Sequence, residues 1–228
     1  MDKVDLKIDW ATYKAAKYAC ENWHYSRTIP KAKIVKVGAW ENDKYIGVVL
    51  FSYGATPALV NPYGLKMNEG CELTRVALTN HISFVSQILS HAIQKLKKSN
   101  TGLRIIVSFA DSNQNHHGGI YQATNWIYTG MTQGCFFYKD INGKLWHPRN
   151  VSENLNLSGK LVKPSDCKKI WKEGKHRYLM PLDKKMRKQI LPLSKPYPKR
   201  PKQAMDSTTV TAAGQNRPGR SSNTKDKK

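Results

Sequence analysis

Several short stretches concentrate side chains able to bind anions or move protons. Trp23-His24-Tyr25-Ser26-Arg27 packs an imidazole, a phenol, a hydroxyl and a guanidinium into one predicted loop. Such density suits a site, and it also suits a polar loop with an aromatic anchor. Arg75 stands in Glu72-Leu73-Thr74-Arg75-Val76, a predicted strand whose alternation puts it on one face with Leu73 and Ala77. A charge there needs a carboxylate such as Glu72 or Asp111, or a cleft that accepts an anion. Ser108 and Asp111 come at the end of a hydrophobic strand, where ligands collect in open α/β sheets. Within Ser108-Phe109-Ala110-Asp111-Ser112-Asn113, Asp111 reads equally as a catalytic base or as the N-cap of the next helix. Tyr121 falls inside that next helix, where core packing is the default. His116-His117-Gly118-Gly119 has the look of a metal pair, but adjacent residues point in different directions, and a polar helix start fits better.

The elements that must hold these residues follow from periodicity. Val35 to Trp40 and Tyr45 to Tyr53 are β-branched and aromatic runs around Glu41-Asn42-Asp43-Lys44, a hairpin pattern. Glu72 to Leu78 is a further strand. Val85, Ile88, Leu89, Ala92, Ile93 and Leu96 recur at helical spacing, and Asn100 and Gly102 stop that helix. Leu103 to Phe109 is a nearly continuous apolar run, as in a strand covered on both faces. A helix over about 115–125, strands near 126–131 and 134–140, and a turn at Asn142-Gly143 complete the pattern. An early helix near 10–21 takes Asp9 as its N-cap. The expected class is α/β, a mixed sheet flanked by helices.

A chain of 228 residues buries one good core. Its 38 Lys and Arg against 16 Asp and Glu give a net charge of +22, a field that attracts polyanions, with nucleic acid the first candidate. No apolar run has spanning length and no leader is visible, so no membrane partner is expected and the expected place is the cytoplasm. Cys20, Cys71, Cys135 and Cys167 form no CxxC pair, which argues against a zinc ribbon or a disulfide scaffold. The chain divides by composition into a catalytic domain over residues 1–150, an extension over 151–183 packing on it, and a basic disordered tail over 184–228. The tail alone holds 13 Lys and Arg against 2 Asp and Glu, with prolines after Leu193. The run Lys175-His176-Arg177-Tyr178 reads as a basic strand at a sheet edge.

His24-Tyr25-Ser26-Arg27, Glu72-Leu73-Thr74-Arg75-Val76, Ser108-Phe109-Ala110-Asp111 and Ile120-Tyr121-Gln122-Ala123-Thr124-Asn125-Trp126, in that order and spacing, resemble the Mom family of phage DNA modification proteins over residues 20–150. The resemblance implies a fold like that of the GCN5-related N-acetyltransferases. It also implies an activity that converts adenine in double-stranded DNA to its N6-carbamoylmethyl form and so shields phage DNA from host restriction, in the host cytoplasm. It points to His24, Tyr25, Arg75, Ser86, Asp111 and Tyr121 as functional positions. To these the strand end adds Ser108, and the loop adds Arg27. In this reading Asp111 is the base, Tyr25 and Tyr121 grip an extruded adenine, and Arg75, Ser86 and Arg27 contact donor or DNA. Acyltransferases of that fold hold the pyrophosphate of acetyl-CoA on a glycine-rich loop at a helix N-terminus. Here the segment is Asn80-His81-Ile82-Ser83-Phe84-Val85-Ser86, without glycine, which counts against acetyl-CoA and leaves the small-molecule donor open. The resemblance also raises a bound iron, held by some of His24, Asp111 and the tyrosines. Two rival functions share these features: a DNA-binding protein without catalysis on the same scaffold, and an N-acetyltransferase acting on another amine.

Overall fold

Asn42 and Asp43 take φ values of 48° and 63°, the left-handed pair that turns a two-residue hairpin in the sense of the strand twist. They join β2 (Ile34–Glu41) to β3 (Lys44–Ser52), as the sequence suggested. The structure is a computed structural model and describes residues 4–54, 56, 58–151 and 162–200. Around the hairpin grows a seven-stranded mixed sheet in the order β1-β2-β3-β4-β5-β10-β6. Its strands are β1 (Leu6–Trp10), β4 (Gly70–Leu78), β5 (Ile105–Ala110), β6 (Ile127–Met131) and β10 (His176–Pro181) with the hairpin pair. A second sheet of three short strands, in the order β8-β7-β9, is built from β7 (Cys135–Lys139), β8 (Leu145–Trp146) and β9 (Lys168–Lys172).

Alternation along β3 shows how the layers divide. Val49 and Phe51 pack with α2 (Val85–Ser99) through Ile88, Leu89, Ala92, Ile93 and Leu96. Val48 and Leu50 face α1 (Tyr13–Trp23) through Ala16, Ala19 and Cys20. On that second face, Ile105 and Val107 of β5 meet Met186 and Ile190 of α4 (Lys184–Ile190). Helices therefore cover both faces, and the expected α/β class with a mixed sheet holds. Among the described residues no helix is long and apolar enough to cross a membrane.

Several expectations need correction. Residues 6–10 pair with β2 as an edge strand, and Asp9 lies in it, ion-paired with Lys95 at 2.7 Å. The cap of α1 is Thr12, whose hydroxyl accepts from the Ala15 N–H. The helix expected over 115–125 shrinks to α3 (Gly119–Gln122), because Asn115, Gly118 and Asn125 all have left-handed φ values and break it. The Lys175–Tyr178 run is not at an edge. β10 lies between β5 and β6, so the 151–183 segment supplies an interior strand of the main sheet rather than only packing against it. The tail starts later than residue 184. Asp183 caps α4 by accepting from the Met186 N–H, and Met186 and Ile190, four apart, bury one stripe of a helix whose other residues are basic apart from Gln189. Tyr197 then donates to the Trp126 carbonyl. The remainder of the expected tail, 201–228, lies outside the described residues.

Candidate active site

β4 and β5 are the parallel pair of the sheet, and their pairing runs only from Gly70↔Ile105 to Leu73↔Ser108. β4 continues to Leu78 and β5 to Ala110, so the strands part at their carboxyl ends, the place where open α/β sheets bind ligands. A bulge prepares the gap. On β3, Leu50 faces Arg75 and Phe51 faces Leu73, leaving Thr74 as the extra residue. That insertion reverses the alternation, so Leu73 packs on the α2 face while Ala77 packs on the α1 face. Arg75 thus leaves the face of Leu73, contrary to the unbroken alternation assumed from sequence, and meets the loop after α1.

In that loop the chain leaves α1 in extended conformation at His24 and is turned back at Arg27, φ 50°. The His24 Nδ1 accepts from the Ser26 backbone N–H at 3.1 Å, with Ser26 Oγ at 2.8 Å and an Arg75 Nη1 at 3.4 Å. A backbone amide and a guanidinium can only donate, so Nδ1 is the unprotonated nitrogen and the neutral ring carries its proton on Nε2. Burial, followed by the positive charge of Arg75 and by His116, pushes the His24 pKa down to about 4. Arg75 Nε is buried and has no hydrogen-bond partner. Tyr25 is half exposed, its ring 4.3 Å from that of His24 and edge-on to His116 at 5.2 Å. Burial, then the negative charge of Asp111, raises the Tyr25 pKa against an opposing pull from Arg75, so the phenol lies within the fields of both.

Asp111 is the N-cap that the sequence allowed, and it uses only one carboxylate oxygen for it. Its Oδ1 caps the turn Ser112–Gln114, accepting from the Asn113 N–H at 3.0 Å and the Asn113 side-chain amide at 3.2 Å. Its Oδ2 faces Lys175 at 3.7 Å. The loop is pinned from the other side, because Ser112 Oγ donates to the Gly174 carbonyl and Asn113 Nδ2 to that of Glu173.

Ser108 and Tyr121 form the floor. Their hydroxyls are 2.8 Å apart, and Ser108 Oγ also donates to the Leu73 carbonyl at 2.8 Å. Ser108 has one hydroxyl proton, so the phenol supplies the proton of the shared bond. Burial pushes the Tyr121 pKa up to about 12, and the group stays neutral. Its ring is held against Trp126 and Tyr178 with centroids 5.0 Å away in each case. Tyr121 therefore has no free face, and the expectation that it grips a base alongside Tyr25 fails on burial.

The structure brings His24, Tyr25, Arg75 and Asp111 together, with Tyr121 and Ser108 beneath them. Arg27 is turned elsewhere, donating to the carbonyls of Glu21 and Asn22 at the end of α1. Ser86 sits in the first turn of α2, with no hydrogen bond to the cluster among the described residues. His116 and Lys175 join the site without having been singled out for it. Their sequence signals were a broken metal pair and a basic run.

Before α2 a different arrangement appears. Glu41, from the end of β2, accepts from the Ile82 N–H with both carboxylate oxygens, at 3.0 and 2.9 Å, and from the Ser83 N–H at 2.6 Å. Burial alone would raise its pKa, but the hydrogen bonds from Ser83 and Ile82 and the nearby His81 hold it below its usual value. The Ile82 and Ser83 amides at the entrance to α2 are thus engaged by a resident carboxylate. Metal ligation has little to draw on. Among the described residues no three His, Cys, Asp or Glu side chains gather to hold an ion, and His24 Nδ1 is already engaged. Cys20 and Cys71 are buried, and burial raises both thiol pKa values, Cys71 to about 12, so neither is an activated nucleophile.

The family model for the Mom protein family matches residues 5–199. The methylcarbamoylase Mom of Escherichia phage Mu is 23% identical over 205 residues, spanning 86% of this chain and 84% of that protein. Among solved structures, an N-acetyltransferase from Staphylococcus aureus Mu50 is similar at 13% identity and a TM-score of 0.42, covering 78% of this chain and 99% of that one. A Bacillus subtilis acetyltransferase in complex with CoA is similar at 14% identity and a TM-score of 0.40, covering 79% and 100%.

Proposed function

Because the chain belongs to the Mom protein family, we propose that it is a transferase that modifies DNA and that its product is N6-carbamoylmethyladenine. In a phage this product would shield the genome from host restriction. The observation that carries the reading is the presence, around one strand gap, of a carboxylate oxygen not used in capping and of a buried guanidinium nitrogen that has no acceptor.

Adenine N6 is a weak nucleophile because its lone pair is delocalised into the ring, so its attack must be accompanied by loss of a proton. Within duplex the amine is enclosed by stacking, and the base must leave the helix to react. The half-exposed Tyr25 ring offers it a face at the mouth of the gap. The N6 atom then forms a bond to the methylene carbon of the donor as the bond from that carbon to the leaving group breaks, and Asp111 Oδ2 takes the N6 proton. Lys175 holds the carboxylate in place.

Arg75 supplies the complementary contact. A buried donor without an acceptor costs about 1–3 kcal/mol, which an oxygen of the bound donor molecule would recover. His24, neutral in this setting, adds no competing positive charge and presents Nε2–H as a further donor. The donor of the added group is a small molecule other than acetyl-CoA, because Glu41 already fills the amides before α2 and its charge opposes a second anion there. The basic surface binds backbone phosphates with little sequence preference.

The test is to express the chain in a bacterium, digest cellular DNA to nucleosides and search by mass spectrometry for the carbamoylmethyl deoxyadenosine. Its presence supports the reading. Unmodified DNA from cells containing folded protein that binds DNA would replace it with the binding-scaffold alternative.

A further inference from the structure

The small sheet has a face of its own. In antiparallel ladders, directly opposed residues point to the same side. Phe136 lies opposite Trp171, and Tyr138 lies opposite Lys169 on one neighbour and Trp146 on the other. One side of the three strands therefore consists of Phe136, Tyr138, Trp146, Trp171 and Lys169. None of the four aromatic residues belongs to the three hydrophobic clusters of the main sheet. Phe136 and Trp171 pack edge to face with centroids 5.0 Å apart, yet they remain 50% and 49% exposed. Lys144 sits 3.8 Å from the Trp146 ring centroid. The indole N–H of Trp146 donates to Asp140 and that of Trp171 to Glu173, so both rings have their polar edge satisfied and are fixed in orientation.

The half-exposed rings of Phe136 and Trp171, with the partly exposed Tyr138 and Trp146 and nearby lysines beside them, match the needs of unpaired nucleobases, which stack on π faces while cations meet the phosphates. The charge of the chain, +22, favours a polyanion over an apolar protein partner. Placement agrees. Trp171 precedes Lys175, the partner of Asp111, by four residues, no more than about 14 Å of chain. The link between them is tied to the Asp111 loop through Glu173 and Gly174. At about 3.4 Å per nucleotide, a base on Trp171 would lie within roughly four steps of one at Asp111.

Resting on the DNA-modification reading, we propose that the face formed by Phe136, Tyr138, Trp146 and Trp171 is a stacking platform for unpaired bases of the DNA strand beside the extruded adenine. The platform holds the strand open while the target occupies the gap between β4 and β5.

The full chain, its Trp171→Ala, Trp171→Phe and Phe136→Ala/Trp171→Ala forms are titrated by fluorescence anisotropy against a labelled single-stranded oligonucleotide and the matching duplex at fixed salt. Loss of a stacking ring is expected to weaken single-strand binding by roughly tenfold for Trp171→Ala and further for the double variant. Duplex binding should change by less than about threefold, and Trp171→Phe should retain most of the affinity because it keeps a π face. Equal single-strand affinity in wild type and double variant overturns the platform, as does a loss shared in proportion by duplex and single strand. If the substitutions abolish self-association of the chain and spare oligonucleotide binding, the face is a protein interface and the proposal falls. Nucleoside analysis of wild-type-expressing cells reports separately on the enzymatic reading, so a selective single-strand defect without DNA modification would keep the platform and remove the activity.

Discussion

The entrance to α2 and the exit from β5 are two loops at the carboxyl ends of neighbouring strands, and each holds a carboxylate. Glu41 spends both oxygens on the Ile82 and Ser83 amides and is buried, whereas Asp111 uses Oδ1 for capping and turns Oδ2 to Lys175 beside Tyr25. The first arrangement is saturated and structural. The second keeps a carboxylate oxygen free of backbone bonds near a guanidinium whose Nε has no acceptor. Residue type alone does not separate them, since both are acidic residues accepting backbone N–H bonds; the number of oxygens left over does.

Substitutions should separate the two loops. Apart from the loss of the Asp111 carboxylate itself, the largest effect is expected from Arg75→Met, which removes the charged contact at the open loop. It should lower kcat/KM for adenine modification about 10- to 100-fold, since hydrogen bonds to charged groups are worth roughly 1.5–3 kcal/mol. Glu41→Gln should stay within a few-fold of wild type in the same assay. A loss at Glu41 equal to that at Arg75 would mean that the α2 entrance takes part in the chemistry.

Glu41→Ala should act on stability instead. It strands the amide of the buried Ser83, together with that of the exposed Ile82, at a cost of ~1–3 kcal/mol, a fall of several degrees in Tm by calorimetry. It should also fail to produce saturable acetyl-CoA binding by titration calorimetry, because the loop still lacks glycine. Tight binding in that variant would show that Glu41 alone had excluded the cofactor.

A smaller effect comes from pH. His24 has a folded pKa of about 4 against 6.5 unfolded, so the unfolded chain takes up a proton as pH falls through 6.5 while the folded chain does not until about 4. Stability from this group is present above pH 6.5 and is lost as pH drops towards 4, about 1–2 kcal/mol by pH 5. His24→Asn should flatten the Tm-against-pH curve in that window. An equal slope in wild type and variant would assign the acid sensitivity to other groups.

The smallest effect concerns neither loop. Removing residues 201–228, which hold six Lys and Arg and two Asp, should make the log–log salt dependence of DNA affinity shallower without changing the Arg75 and Glu41 contrast. An unchanged salt slope would take that segment out of the binding account. Truncation at residue 184 would not serve this purpose, because it would strip Met186 and Ile190 of α4 from the core.

Much of the frame was legible in the sequence because its signals are local. The 34–52 hairpin announced itself through Asn42-Asp43, α2 through its apolar spacing, and β5 through an unbroken apolar run. The misread elements depend on distant partners. β10 is basic in sequence, yet pairing on both sides places it inside the sheet, and nothing within residues 175–181 specifies β5 and β6 as neighbours. Met186 and Ile190 were masked by the lysines around them. In the site, side-chain density pointed to His24 and Tyr25, strand-end position to Ser108 and Asp111, and a charge inside a strand to Arg75, whereas Tyr121 was named only through the family resemblance. The bulge at Thr74 that aims Arg75, the arrival of Lys175 from a distant strand and the capture of the α2 loop by Glu41 from a hairpin all rest on tertiary pairing.

The most direct measurement compares Asp111→Asn with wild type, scoring carbamoylmethyl deoxyadenosine in cellular DNA by mass spectrometry and duplex affinity on the purified proteins. The account predicts at least a hundredfold loss of the modified nucleoside with duplex affinity within about threefold of wild type. Modification at the wild-type level in Asp111→Asn would contradict it, and loss of modification and DNA binding together would return Asp111 to a purely structural role.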